Sequence, residues 1–555
     1  MREIDRLTTE LYGTPSLVLM ENAGAATARV IAARLSSEVA GKSILVLCGR
    51  GNNGGDGAAT ARLLAVGGAC IELVLFGKVE DTKGDARTNF EAVRNLTSHG
   101  SNAPGGGATA SAGTIKFSEC NSYGDWKNLL KNRPTIPYDA AIDALFGTGL
   151  TRPIEGIHKE VVEFLNSLRQ VRGQGQAPHT LIASIDIPSG LNSDSSEPIG
   201  EAVRADVTVT MTAPKPANVP SSAASYNGEL IVADIGSPTD LIDAAKSKLF
   251  VTQESDARDW LIQTRYAPDS YKTTHGHALI IAGSRGFTGA AALCGNAAMR
   301  AGAGLVTIAA PASAQPLVAT QVMPEVMTTA LAETDRGAVS DDAIDYVLRF
   351  AERASVIAIG PGLSSEDERT RSFVHALVER RTTPVVVDAD GLNCLAPWPD
   401  DLHGSREYAI VLTPHPGEML RLMGTQDKSA LADRVAVARA FATAHEVILV
   451  LKGARSLIAA PDGRVFVNPT GNAGLGTAGA GDTLTGIITG FLAQAYGTLK
   501  QDADALATVI AALYISGLAG DLAARDLGMR TMVASDIREH LSPAICSLDP
   551  DGERP

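Results

Sequence analysis

The chain has 555 residues, 45% of them hydrophobic, with 55 glycines and a formal net charge of −14. A single core stops growing below roughly 300 residues, so more than one domain of a loop-rich α/β class is expected, and the acidic balance excludes nucleic acid or an anionic membrane as the main partner. Six scattered cysteines without a CxxC pair, a charged start (MREIDRLTTE) and no run of about 18 apolar residues predict reduced thiols in the cytoplasm, with no structural zinc, signal peptide or membrane span.

In chain order, Gly41-Lys42-Ser43 carries the ending of a phosphate loop but precedes a strand, and residue 36 is serine, so it is a decoy. From Ser43 to Gly236, SILVLCG, CIELVLFG, AAIDALFG, LIASIDIPSG, DVTVTMTAPK and ELIVADIG read as strands alternating with helices, which predicts a largely parallel sheet. The segment from Gly100 to Pro137 reads as a low-complexity, mobile surface excursion. LCGRGNNGGDGAATARLLA is a strand, a glycine turn and a helix. Gly49, Gly51 and Gly54 satisfy GxGxxG, yet Glu72 lies inside the second strand, so the ribose-binding acid is poorly met. Asn52, Asn53 and Asp56 crowd the turn with oxygens that suit a phosphate or a hard cation; Asp143, Asp186 and Ser189 add more at later strand ends. Each of these aspartates alternatively caps its own turn.

A polar helical stretch, about Asp240 to Tyr271, separates the halves at residues 240/241. The pattern then restarts with HALIIAGS, LVTIAAP, SVIAIGPG, PVVVDADG, YAIVLTPHPGE and VILVLKGARS, and LIAAPDGRVFVNPTG reads as a hairpin. Near the end, TAGAGDTLTG places Gly479, Ala480 and Gly481 before a helix whose apolar stripe is Leu484, Ile487, Ile488, Phe491 and Leu492. Free amides at a helix start attract phosphate oxygens, and Asp482 beside them suits a base that takes a proton from an attacking hydroxyl. An aspartate that merely caps the helix is the plainer alternative.

NPTGNAGLGTAGAGD resembles the ribokinase-like signature. GPGL, VVDADGLN, TPHPGE, LKGARS and TAGAGD in this order resemble the NAD(P)H-hydrate dehydratase family over roughly Asp256 to Pro543. MENAG, NNGGDG, DALFGTGLTRP and IDIPSGL resemble the NAD(P)H-hydrate epimerase family over roughly residues 1 to 236. The resemblance implies two domains, 1–240 and 241–555: an N-terminal Rossmann-like three-layer α/β/α domain and a C-terminal ribokinase-like α/β domain. It implies that the second phosphorylates the hydroxyl of hydrated NADH or NADPH and eliminates phosphate, using ADP and releasing AMP in bacterial-type members, while the first interconverts R and S epimers. Asp482 is then the base. Lys452, Gly453, Ala454, Arg455, Ser456 and Gly481 meet the nucleotide, and Gly362, His415 and the Gly289 to Ala291 region, Ala291 above all, face the hydrated coenzyme. In the first domain Asn53, Asp143 and Ser189 hold potassium. Asn52, Asn53, Gly54, Gly55, Asp56, Gly147, Thr148, Gly149, Leu150, Thr151, Arg152, Pro153 and Asp186 hold the substrate, with Asp186 the proton-transfer group. Plainer alternatives stand beside these: Lys452 as a strand-end surface lysine, His415 as a brace for its turn, Ala291 as helix packing. Ser516 departs from the family pattern, which has histidine there.

These features imply small-molecule substrates, ADP as co-substrate, magnesium with the nucleotide, no nucleic acid, no membrane and a homo-oligomer. Two rival readings remain: an ATP-dependent kinase of a small vitamin-like alcohol with an accessory N-terminal domain, and a non-catalytic nucleotide sensor.

Overall fold

The computed structural model describes residues 1–99, 113–132, 138–169, 180–195, 198–219, 221–549 and 551. The chain divides into two compact units, Met1–Ser247 and Lys248–Pro555.

The first unit is built on seven strands: β1 (Ser43–Cys48), β2 (Cys70–Phe76), β3 (Thr114–Cys120), β4 (Ala140–Ala144), β5 (Leu181–Ile185), β6 (Val207–Met211) and β7 (Glu229–Ala233). All pair in parallel, in the order β3-β2-β1-β4-β5-β6-β7. Burial on both faces explains the near-continuous apolar runs: Ile44, Val46 and Cys48 join one core, Leu45 and Leu47 the other. The order reverses between β1 and β4, the position where ligands collect at strand carboxyl ends. Register sets Asp143 of β4 opposite Leu47 on one side and Ser184 on the other. That fixes a carboxylate at the switch point.

The second unit holds β8 (Leu249–Val251), β9 (His277–Ile281), β10 (Leu305–Pro311), β11 (Met327–Leu331), β12 (Val356–Ile359), β13 (Val385–Val387), β14 (Ile410–Leu412), β15 (Ile448–Leu451), β16 (Leu457–Ala459) and β17 (Val465–Val467). They form one sheet in the order β11-β10-β9-β12-β13-β14-β15-β16-β17-β8, with a switch point between β9 and β12. Only β15–β16 and β16–β17 are antiparallel, the latter the hairpin expected around Pro461-Asp462-Gly463. The helix Ala480–Thr498 packs on the helix Thr288–Arg300 through its glycines: a Cβ at Gly486 would lie 2.1 Å from the Cys294 carbonyl oxygen. This close approach brings the starts of both helices to one end.

Two expectations need correction. Within 100–137, residues 114–120 are strand β3 at the sheet edge and 123–131 a helix; long-range pairing to β2 orders what its composition suggested was loop. The glycine-rich 100–112 and 133–137 lie outside the described residues. The polar stretch 240–271 is not purely helical, because Leu249–Val251 joins β17 and Phe250 stacks on Phe466 with ring centroids 5.2 Å apart. Strand β11, half-exposed at an edge, carries too little apolar alternation to be read from sequence. Finally, the helix Ala505–Leu527 is long and apolar enough to cross a membrane, but 67% of its apolar window is buried inside the second unit, where it packs on neighbouring helices.

Candidate active sites

In the first unit a cavity of about 640 Å³ opens at the β1/β4 switch point. The helix Asn52–Val66 starts at its wall, capped by Gly51 with no side-chain bond, so its first amides face outward. Gly49 and Gly54 answer to crowding: a Cβ on Gly49 would sit 2.0 Å from the Leu145 carbonyl oxygen, and one on Gly54 1.8 Å from that of Gly49. Gly55 abuts Ala86 and Met20 in the same way. Asn52, Asn53, Asp56, Gly147, Thr148, Gly149, Leu150 and Asp186 line the cavity; Gly54, Gly55, Thr151, Arg152 and Pro153 do not, and the last three are exposed.

Asp186 adopts φ 67, a conformation costly for a non-glycine residue and typical of functional turns. Its carboxylate pairs with Lys215, whose ammonium also donates to Thr210 Oγ1 at 2.9 Å and to the Met211 carbonyl at 2.9 Å. Asp5, from the helix Arg2–Tyr12, lines the same cavity and leaves Oδ1 buried without a partner. Burial first, then Asp186 and Asp5, pushes the Asp56 carboxyl well above the usual carboxylate range. Lys215 thus pairs directly with Asp186, while Asp5 and Asp56 line the same cavity.

Asp143 is fully buried and accepts from Ser189 Oγ at 2.6 Å, Ser189 N at 2.8 Å, Ser184 Oγ at 2.9 Å and Leu145 N at 3.3 Å. Burial still raises its carboxyl pKa. The capping alternative is therefore part of its work, since two of the donors are turn amides. Nearby, Asn53 is 8% exposed and neither its Oδ1 nor its Nδ2 has a partner. Glu72, by contrast, bonds Tyr138 at 2.6 Å and Lys116 at 2.9 Å, away from any ribose role.

In the second unit, Gly479 caps the helix Ala480–Thr498 at φ 83, and no side chain caps it. Asp482 is therefore not spent on capping. Its carboxyl is raised to about 6, by burial first and then Asp388, while Lys452 pulls the other way. Lys452, 18% exposed at the end of β15, is no surface lysine: its Nζ lies 2.7 Å from Asp388 Oδ1 and 3.8 Å from Glu418 Oε2. Burial opposes its charge, but Asp388 and Glu418 outweigh that and raise its pKa. Asp388 also accepts from Thr485 Oγ1 at 2.7 Å. A Cβ on Gly481 would stand 3.4 Å from Lys452 Nζ, so the glycine keeps a space open between lysine and helix start.

His415 does brace its turn, accepting at Nδ1 from Gly417 N at 3.0 Å and Glu418 N at 3.3 Å, while Nε2 lies 3.4 Å from Glu418 Oε1. Gly362, at φ 62, meets Phe287 and Ala290 at the start of the helix Thr288–Arg300. Ala291 is fully buried in the core and backs onto Gly283, so it could meet a ligand only through its backbone at the start of the helix. In the Lys452–Ser456 loop, Gly453 and Arg455 take positive φ, and Arg434 holds the Leu451, Lys452 and Ala454 carbonyls. Ala454 is exposed, Ser456 donates to the Gly453 carbonyl at 3.0 Å, and Ser516 is buried in its helix.

A model of the NAD(P)H-hydrate dehydratase family matches residues 278–543, and one of the YjeF-related protein N-terminus matches residues 16–217. A bifunctional NAD(P)H-hydrate repair enzyme of Moorella thermoacetica is 39% identical, across 100% of this chain and 97% of its own. The chain belongs to the bifunctional NAD(P)H-hydrate repair enzymes. One from Thermofilum pendens is 34% identical, across 99% of this chain and 96% of its own. Among solved structures, the ADP/ATP-dependent NAD(P)H-hydrate dehydratase from Bacillus subtilis, co-crystallised with ATP and Mg²⁺, is 30% identical with a TM-score of 0.46, covering 54% of this chain and 99% of its own.

Within this repair enzyme the sequence pattern missed Lys215, Asp5, Asp388, Glu418 and Thr485. Four of them stood in view, since Lys215 follows a strand end and Asp388, Glu418 and Thr485 belong to VVDADGLN, TPHPGE and TAGAGDTLTG. Asp5 precedes the first matched residue, 16, and gave no signal.

Proposed function

We propose that the second unit dehydrates hydrated NADH or NADPH by phosphorylating its hydroxyl, with Asp482 as the base, and that the first unit interconverts the epimers at Asp186. One observation carries the reading: a half-buried carboxylate titrating near neutrality, free of capping duty, beside outward-facing amides and a lysine pinned by a buried acid. Asp482 takes the hydroxyl proton while the Gly479–Gly481 turn steadies the incoming phosphoryl group. Phosphate then leaves where hydroxide leaves poorly, the ring nitrogen pushing it out. A stereospecific dehydratase clears one epimer, and the epimerase unit feeds it the other.

ADP is the proposed donor, held at Gly481 and the Lys452–Ser456 loop. Among the described residues no group of three or more His, Cys, Asp or Glu side chains is placed to hold a metal, so magnesium is proposed to arrive on the nucleotide's phosphates. Potassium fits the first unit, where the orphaned Asn53 Oδ1, Ser189 Oγ and the buried Asp143 would hold it. There it would offset the cost of burying that carboxylate. The six thiols, all unpaired, support a reducing, cytoplasmic setting.

The test supplies both epimers of hydrated NADH with ADP, then with ATP, and follows the return of reduced coenzyme. Full recovery is expected with ADP. Recovery that stops at one epimer removes the epimerase assignment, and a stable phosphorylated product would favour a small-alcohol kinase.

A further inference from the structure

Of the side chains lining the first unit's cavity, three are cationic: Arg2, Arg50 and Lys215. Lys215 is 5% exposed and committed to Asp186, Thr210 and the Met211 carbonyl. Arg2 and Arg50 are exposed, so they stand at the rim, whereas Asp5, Asp56 and Asp186 are half-buried within. Arg2 donates one guanidinium N–H to the Thr148 carbonyl at 3.2 Å. Arg50 has no carboxylate partner among the described residues. Its stem fills the space that Gly77 leaves, where a Cβ would lie 2.5 Å from Arg50 Cδ; Gly77 takes φ 135. Burial and then Arg50 lower the pKa of the neighbouring His158. Arg50 also directly precedes Gly51, the cap of a helix whose first amides are free, and the buried Asn53 Nδ2 beside them lacks a partner. Cation, amides and amide side chain are all donors. Two acids complicate this wall: Asp56, half-buried one turn into the same helix, and Asp85, half-buried at the start of the helix Gly84–His99.

We propose that Arg50, assisted by Arg2, grips the pyrophosphate of the hydrated coenzyme at the cavity rim and makes the epimerase selective for the phosphorylated molecule. This rests on the reading of the first unit as the epimerase. The hydrated nicotinamide ring is uncharged and goes to the Asp186 end; the anionic pyrophosphate is left at the rim, where a guanidinium matches it with a planar fork of donors.

The test compares epimerisation of hydrated NADH with that of the hydrated, reduced nicotinamide riboside, which carries no phosphate. In the full-length wild type the dinucleotide has the higher kcat/KM. R50A should cut that advantage at least tenfold, through KM, and R50K should restore part of it by keeping the charge but not the fork. Thermal melting confirms that the variants fold. An unchanged ratio, or equal loss on both substrates, overturns the proposal. ADP-ribose binding, measured by calorimetry on wild type and R50A, separates the grip from the activity, because binding by the second unit is common to both proteins. Weakened binding in R50A with no epimerisation by the wild type supports the grip and overturns the epimerase assignment; unchanged binding overturns the grip.

Discussion

Asp482 needs its proton acceptor free, and its carboxyl titrates at about 6. Dehydration should therefore climb as pH rises through about 6 and level off above it, in a single-turnover assay with nucleotide saturating. Asp482→Asn should lose about 10²–10⁴-fold in dehydration, the usual contribution of a positioned base, and keep epimer exchange intact. The stability effect has the opposite sign. The folded state binds this proton more tightly than an unfolded carboxyl with its ordinary value of 3.8, so stability falls as pH rises from there through about 6. The Asn variant escapes that loss, and its Tm should exceed the wild type's above pH 6 and converge with it near pH 4, by calorimetry at about these two pH values. Lys452 works the other way. Asp388 is 1% exposed, and removing its counterion strands a buried charge. Lys452→Met should cost about 3–5 kcal/mol in urea unfolding of the second unit.

Helices and strand ends place these side chains, and glycine decides how closely. A Cβ on Gly486 would lie 2.1 Å from the Cys294 carbonyl oxygen and 2.8 Å from Ala297 Cβ, both on the facing helix. Gly486→Ala must push the helix Ala480–Thr498 away, at about 1–3 kcal/mol. Asp482 sits one turn earlier on that helix, so dehydration should fall at least tenfold while epimerisation holds, both read on the same preparation. The interior strands were legible because each is buried on both faces and writes an apolar run ending in glycine, proline or aspartate. Three of the four edge strands were not, whereas the edge strand β7 still writes the apolar run ELIVA despite its half-exposed residues. β3, β8 and β11 depend on a partner strand distant in sequence, and their own residues are half-exposed.

Each unit completes a site from its own residues: Asp186, Lys215 and Asp56 from the first, Asp482, Lys452 and Asp388 from the second. An equimolar mixture of Asp186→Asn and Asp482→Asn proteins should therefore recover reduced coenzyme from both epimers. Either variant alone should not: Asp186→Asn stops at one epimer, and Asp482→Asn recovers neither. Failure of the mixture would mean that the epimer must pass between sites of one chain.

By itself the sequence determined the two-part α/β architecture, because burial periodicity and strand-end punctuation are local. It also carried the aspartates at strand and helix ends, because turn chemistry is written in neighbouring residues. Tertiary structure alone decided which aspartate was free and which was spent. Nothing adjacent to Asp482 says that Gly479 does the capping, and Lys452 lies 64 positions from the acid that pins it. It likewise decided that Ala291 is core and that Asp5 reaches the cavity, since a side chain's burial depends on what other elements close over it.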